Sequence, residues 1–193
     1  MEDRNPLLQK AVLRGLTLKR RDALSLDERA EASERIAERC ETLTFGGRPE
    51  AIAGYLPIHS EVDPRPAMAR LAARGVRIAV PAIEGEELEF REFSATAALV
   101  GQRFGTLAPG PEAPVVTPQV LLMPLAAFDR RGGRIGYGRA FYDRAVAALR
   151  TAGHDPLLIG LAFAVQEVEA VPMEPHDVRL HLIITECEVI RPE

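Results

Sequence analysis

Two cysteines, Cys40 and Cys187, are all that the 193 residues contain, and they stand far apart in the chain. A disulfide-stapled scaffold is excluded, and a reducing cytoplasm is the expected location. No stretch reaches the roughly 18 consecutive apolar residues that a membrane span needs. The densest runs, residues 120–128 and 157–165, are strand-length. Residues 1–6 lack the apolar segment of a secretory signal, and neither an internal repeat nor a low-complexity tract is visible. Positive charge is not in excess: 24 Lys and Arg against 28 Asp and Glu leave a net charge of −4. That balance argues against bulk nucleic-acid binding, although a local basic patch can still hold a compact anion such as a nucleotide. What the chain does have is 47% hydrophobic and 27% charged residues. At this length it buries roughly 70% of its unfolded surface, which excludes a disordered or collagen-like chain. A single domain over residues 1–193, monomeric and without membrane or nucleic-acid partners, is expected.

Within residues 6–21, Leu8, Val12 and Leu16 step by four while Lys10, Arg14 and Arg21 recur on another face, which predicts an amphipathic helix with a basic stripe. Ser25 and Glu28 form a capping box that announces a second helix, to about residue 43. Phe45-Gly46-Gly47-Arg48-Pro49 breaks the pattern, and residues 51–56 read as a buried strand ending at Pro57. Asp63-Pro64 opens a third helix, closed by Gly75. Residues 76–80 and 88–93 are strand-like around the acidic turn Glu84-Gly85-Glu86-Glu87 and predict a hairpin. A proline-rich loop at 109–118, a buried strand at 120–123, a helix at 140–150 and strands at 157–164 and 182–190 follow. Cys40 is expected to pack in its helix and Cys187 to lie in a strand, neither as a nucleophile. Short apolar strands alternating with helices give the fold class: α/β, one three-layer α/β/α domain with a mostly parallel central sheet.

Ligands of open parallel sheets bind beyond the carboxyl ends of the strands, and the most informative segment falls there. After residues 120–124 the chain reads Arg134-Ile135-Gly136-Tyr137-Gly138-Arg139-Ala140-Phe141-Tyr142-Asp143, preceded by Gly132-Gly133. Glycines let backbone amides approach a ligand closely, and the helix that follows presents its positive end. With Arg134 and Arg139 this is a credible polyphosphate cradle. It is neither a Walker A loop, lacking the terminal Gly-Lys-Ser/Thr, nor a G-x-G-x-x-G fingerprint, because Phe141 takes the last glycine's place. An ordinary turn between strand and helix remains the alternative. By residue chemistry alone Lys10 and Arg14 are equally a solvated basic face, Asp143 a favourable first-turn residue and Asp177 a loop cap.

This block resembles the signature of the 5-formyltetrahydrofolate cyclo-ligases. The resemblance covers most of the chain. It begins with Lys10-x-x-Leu13-Arg14 and Arg21. It continues through Tyr55-x-Pro57-x-x-Ser60-Glu61-Val62-Asp63, then the block above, then Ile159-Gly160-Leu161-Ala162-Phe163, Gln166, Pro172, His176-Asp177 and Thr185-Glu186. It implies a magnesium- and ATP-dependent cyclisation of 5-formyltetrahydrofolate to 5,10-methenyltetrahydrofolate, with ADP and phosphate released.

The resemblance assigns Lys10, Arg14, Arg134, Gly136, Tyr137, Gly138, Arg139, Ala140, Phe141, Tyr142 and Asp143 to ATP, and Arg21 to its phosphates as well. Tyr55, Glu61, Met123 and Phe141 go to the folate, and Asp143 and Asp177 to magnesium, whose preference is for hard oxygen ligands. Arg134, Arg139 and Asp143 are the expected catalytic residues, since phosphoryl transfer is helped by positioning and charge neutralisation.

The sequence departs from the family pattern in several places. Arg139-Ala140 replaces part of a glycine-rich run, which makes Arg139 a candidate extra phosphate ligand. There is no tryptophan near Phe93, Ala108-Pro109 stands where Glu-Pro is common, and His181 replaces a frequent aspartate. His59, His154 and His181 have no ligand-like spacing with His176, so no structural zinc is expected. A sugar-phosphate isomerase or acyl-CoA transferase-like enzyme, and a silent nucleotide or folate sensor, are the competing readings.

Overall fold

A seven-stranded sheet runs through the computed structural model, which describes residues 5–45 and 47–192. Gly46 of the predicted breaker, and residues 1–4 of the segment searched for a signal, lie outside the described residues. The chain opens with helices α1 (Pro6–Asp22) and α2 (Leu26–Thr42), enters strand β1 (Ala51–Ala53), and passes through α3 (Arg65–Ala73) to β2 (Arg77–Glu84) and β3 (Glu87–Glu92). A small hairpin, β4 (Leu99–Gly101) and β5 (Leu107–Pro109), precedes β6 (Val120–Pro124). A second one, β7 (Ala127–Phe128) and β8 (Arg134–Ile135), leads into α4 (Phe141–Thr151). Strands β9 (Leu157–Leu161), β10 (Leu182–Ile184) and β11 (Val189–Ile190) follow. The order across the sheet is β11-β10-β9-β6-β1-β2-β3, parallel from β10 to β2, with antiparallel strands only at the two edges.

Strand β6 shows why the layers form. Val120 and Leu122 point into a core shared with Ile36, Cys40, Met68 and Leu71 of α2 and α3, while Leu121 and Met123 point into a second core with Ala145 and Val146 of α4. A period of two divides one apolar run between both faces, so helices must cover both. The capping box closes as predicted, with Glu28 N donating to Ser25 Oγ at 3.2 Å and Ser25 N to Glu28 Oε2 at 2.7 Å. Among the described residues no helix is long and apolar enough to cross a membrane.

Four expectations need correction. The apolar stripe of α1 does not face the core: Leu8, Val12 and Leu16 are 51, 63 and 45% exposed, whereas Lys10, Thr17 and Arg21 are buried. The reason is position, because α1 lies against β7 and the single turn at Ala164–Gln166 rather than across a sheet face. Strand β1 stops at Ala53. One further ladder bond, Gly54 N to Ala79 O at 2.9 Å, is followed by a bend that ties Tyr55 Oη to Val62 O at 3.0 Å. The predicted strand 182–190 is two strands, because Thr185 Oγ1 accepts from the amides of Cys187 and Glu188 and folds a turn; Cys187 sits exposed in it. Finally, Pro109 of the predicted loop closes β5, a hairpin strand without a sequence signal.

Candidate active site

A cavity of about 590 Å³ opens beyond the carboxyl ends of β1 and β6 and is lined from both ends of the chain. Of the residues that the family resemblance assigned to a site, all but Arg21 line it. Lys10 and Arg14 come from α1, Tyr55 and Glu61 from the segment after β1, and Met123 from β6. Arg134, Gly136, Tyr137, Gly138, Arg139, Ala140, Phe141, Tyr142 and Asp143 come from the loop into α4, and Asp177 from the segment before β10.

One side of the cavity is built for an anion. Ala140 takes a left-handed conformation (φ 52°) at the start of α4, and no side chain caps this helix. The first-turn amides of Phe141, Tyr142 and Asp143 therefore lack intrahelical acceptors, and the positive end of the helix dipole faces the cavity. Gly138, at φ +85°, brings the loop against α1: a Cβ there would lie 3.1 Å from Arg14 Nη2. Arg14 in turn donates from Nε to Gly136 O at 2.7 Å. Burial lowers the pKa of this guanidinium, and among the described residues no carboxylate opposes that shift.

Two other cations of the cavity, Lys10 and Arg134, are paired with carboxylates. Lys10 Nζ donates to Glu174 Oε2 at 2.7 Å and to Asp177 Oδ2 at 2.5 Å. Burial pulls its pKa down, but the two carboxylates outweigh burial and hold it above the ordinary value. Burial likewise pushes Asp177 up, and Lys10 together with the Glu174 amide brings it below the usual carboxylate range. Arg134 donates to Asp143 Oδ1 at 2.6 Å and, from Nη1, to Val178 O. Asp143 Oδ2 and Asp177 Oδ1 accept no hydrogen bond from the described residues, and the nearest cationic group to Asp177 Oδ1 is His176 Nε2 at 3.8 Å. Glu174, His176 and Asp177 also bring ligand atoms within 4.8 Å of one another. Arg139 has a different neighbour. Its guanidinium lies 3.7 Å from the centre of the Phe104 ring, and that ring stands 6.2 Å from Phe141.

The rest of the lining is largely apolar with one buried acid. Pro81, Ile83, Leu88, Phe104 and Leu107 form a wall. Glu61, 8% exposed, accepts from Ile58 N at 2.9 Å. Burial raises its pKa to about 7 against the smaller opposing effects of the Ile58 amide, Arg21 and Tyr137.

The structure also adds what the sequence reading missed. Arg21, expected at the phosphates, is 1% exposed and lies beneath the cavity rather than on it. Its side chain points inward because Ser60, Leu125 and Tyr137 supply its acceptors there. Glu174 and the β4–β5 hairpin carried no local signal. Their roles depend on Lys10 and Arg139, and only the fold brings those pairs together.

A sequence model of the 5-formyltetrahydrofolate cyclo-ligase family matches residues 7–186. The 5-formyltetrahydrofolate cyclo-ligase of Escherichia coli (strain K12) is 29% identical over 177 residues, covering 88% of this chain and 96% of the relative. The enzyme of the same name from Mycolicibacterium smegmatis is 27% identical over 186 residues, covering 91% and 93%. Among solved structures, the 5,10-methenyltetrahydrofolate synthetase of Aquifex aeolicus superposes with a TM-score of 0.80 at 29% identity, covering 94% of this chain and 92% of that one. The synthetase of Mycoplasma pneumoniae gives 0.73 at 25% identity, covering 92% and 98%.

Proposed function

The chain belongs to the 5-formyltetrahydrofolate cyclo-ligase family, and we propose that it closes 5-formyltetrahydrofolate to 5,10-methenyltetrahydrofolate at the expense of ATP. The observation that carries this reading is the union, in one cavity, of an uncapped helix start flanked by arginines and an apolar wall holding a single buried carboxylate. Polyphosphate and a flat heterocycle call for those two environments side by side.

A formyl oxygen on nitrogen is a poor leaving group. Transfer of the γ-phosphoryl onto it, with ADP leaving, makes an iminium phosphate. The neighbouring folate nitrogen then adds to the activated carbon and loses its proton, and phosphate departs with the C–O electron pair. In this reading Arg14 and the α4 amides hold the phosphate chain, with Lys10 beside them. Arg134 and Arg139 oppose the charge that spreads over the moving phosphoryl group, the kind of fixed electrostatic help on which such transfers depend. Glu61, ionised, accepts from the pterin's amino and ring N–H groups, and Tyr55, Met123 and Phe141 pack against the ring system.

Magnesium would arrive with the nucleotide. The donor set suits it, because Asp143 and Asp177 both line the cavity and each has one carboxylate oxygen that accepts no hydrogen bond from the described residues. When bound, the ion supplies further neutralisation of phosphate charge. A cytoplasmic monomer that meets only small molecules completes the proposal.

The test is direct: incubate the protein with 5-formyltetrahydrofolate, ATP and magnesium, and follow the methenyl chromophore together with ADP. One ADP per methenylfolate is the expected result. Product without nucleotide, or ATP consumed without product, overturns the reading.

A further inference from the structure

Arg21 is a buried cation that the reaction above does not use. The residue is 1% exposed, and its acceptors among the described residues are neutral: Ser60 Oγ at 2.9 Å, Leu125 O at 3.4 Å and Tyr137 Oη at 2.8 Å. Among the described residues none of its nitrogens comes within ion-pair distance of a carboxylate; the Asp22 carboxylate is reached only through the Ser60 hydroxyl, which donates to it. Sequestering a guanidinium without a salt-bridge partner is costly, and apolar side chains of similar volume fill such places at less cost. This one joins four segments: α1, the loop after β1, the bend after β6, and the glycine-rich loop.

We propose that Arg21 is a positioning residue of the active site, orienting Tyr137 against Glu61 and supplying the positive charge that faces this carboxylate. The inference rests on the reading of Glu61 as the folate's carboxylate. Tyr137 Oη accepts from Arg21 Nη2 and makes no donation among the described residues, so its own proton is left for Glu61, which lines the same cavity. The titratable groups around Glu61 are Tyr55 and His59 on its own segment, the His59 ring 6.5 Å from that of Tyr137, then Tyr137 on the glycine-rich loop and Tyr142 on α4, with Asp22 and Asp63 behind Tyr137 and Tyr55. Arg21 is the permanent cation among them, and it opposes the rise that burial imposes on Glu61. Removing its charge therefore moves Glu61 toward the neutral form, which cannot accept two N–H groups as a carboxylate does. Substrate capture then needs higher pH.

The experiment is the pH profile, from 5.5 to 9, of kcat/KM for 5-formyltetrahydrofolate at saturating ATP in wild type, Arg21→Met, Arg21→Lys and Tyr137→Phe. In Arg21→Met the acidic limb is expected to move up by about one pH unit, about a tenfold loss on that limb, recovered at high pH. Arg21→Lys keeps the limb in place, and Tyr137→Phe moves it in the same direction by less. An equal loss at every pH in Arg21→Met, with the limb unmoved, shows a purely structural role and overturns the proposal. If Arg21→Met does not fold, an unmoved limb in Tyr137→Phe overturns it. A wild type that makes no methenylfolate defeats the functional reading instead. The titration of Glu61 is then read without ligand, as the difference in melting temperature from Glu61→Gln across the same pH range, and an unchanged midpoint in the Arg21 and Tyr137 variants overturns the proposal equally.

Discussion

Arg139 stacks its guanidinium on the ring of Phe104, joining the loop that leads into α4 to the tip of the β4–β5 hairpin across the mouth of the cavity. Phe104 holds a left-handed backbone (φ 64°) to reach that place. A cation–π contact of this kind is worth about 0.5–2 kcal/mol, enough to hold a short hairpin but not enough to consume the charge of the arginine.

Arg139 is therefore expected to do two separable things. Arg139→Gly removes both the stack and the cation, and lowers kcat and kcat/KM together by about tenfold, equivalent to about 1.4 kcal/mol of transition-state stabilisation. Phe104→Ala removes only the stack, so it raises KM while kcat stays within about twofold. Steady-state kinetics on both variants check this. Equal falls in kcat would mean that the cation works solely through the hairpin.

Arg14 and Lys10 share a helical face but not an electrostatic state. Lys10 is already offset by Glu174 and Asp177, whereas among the described residues Arg14 donates only to a backbone carbonyl. Arg14→Ala is expected to weaken ATP binding by about 1–3 kcal/mol, the range for charge-assisted hydrogen bonds, and Lys10→Ala by less. Melting temperatures should rank the opposite way, because losing Lys10 leaves two neighbouring carboxylates without their cation. Calorimetric titration beside a thermal melt reads both orders.

Glu61 links stability to pH. An ordinary glutamate titrates near 4.5, and this one is pushed up to about 7. Between those values the folded chain keeps a proton that the unfolded chain has released, so stability is fullest below about 4.5 and is lost as pH rises through 7. Each unit of displacement corresponds to about 1.4 kcal/mol. Glu61→Gln carries no charge to bury, and its melting temperature should climb relative to wild type between pH 5 and pH 8. A constant difference across that range would show that Glu61 titrates normally.

Ala140 occupies the left-handed region that glycine enters without strain. Ala140→Gly is expected to stabilise the fold by about 1 kcal/mol, a rise of about 2–4 °C in melting temperature for a chain of this size. Differential scanning calorimetry decides it, and a lower melting temperature would mean that the Cβ makes a contact worth more than the strain.

Much of this was legible because the signals were local. Ser25 and Glu28 meet within one turn, the run at Val120 alternates between two cores, and the residues around Gly136 and Gly138 carry their loop geometry in their own composition. The misreadings are long-range. Leu8, Val12 and Leu16 have the period of a buried face, yet nothing local states that α1 lies across strand ends, where its polar face has the partners. Arg21 has the spacing of a surface cation and is buried only because Ser60, Leu125 and Tyr137 converge on it. The β4–β5 hairpin has three-residue strands, too short for alternation to register.

The outward-facing ridge of α1 bears on how the molecule is made. Lys10 and Asp177 are 167 positions apart, and at a translation rate of roughly 5–20 residues per second α1 waits on the order of 10–30 s for this partner to be synthesised. Its inner face offers mainly polar groups during that interval, so little hydrophobic force holds it on the growing sheet. The two ion pairs of Lys10 at this end of the cavity therefore form only after residues 174 and 177 have been made, later than the contacts of Arg14 to Gly136 and of Arg21 to Tyr137 become possible.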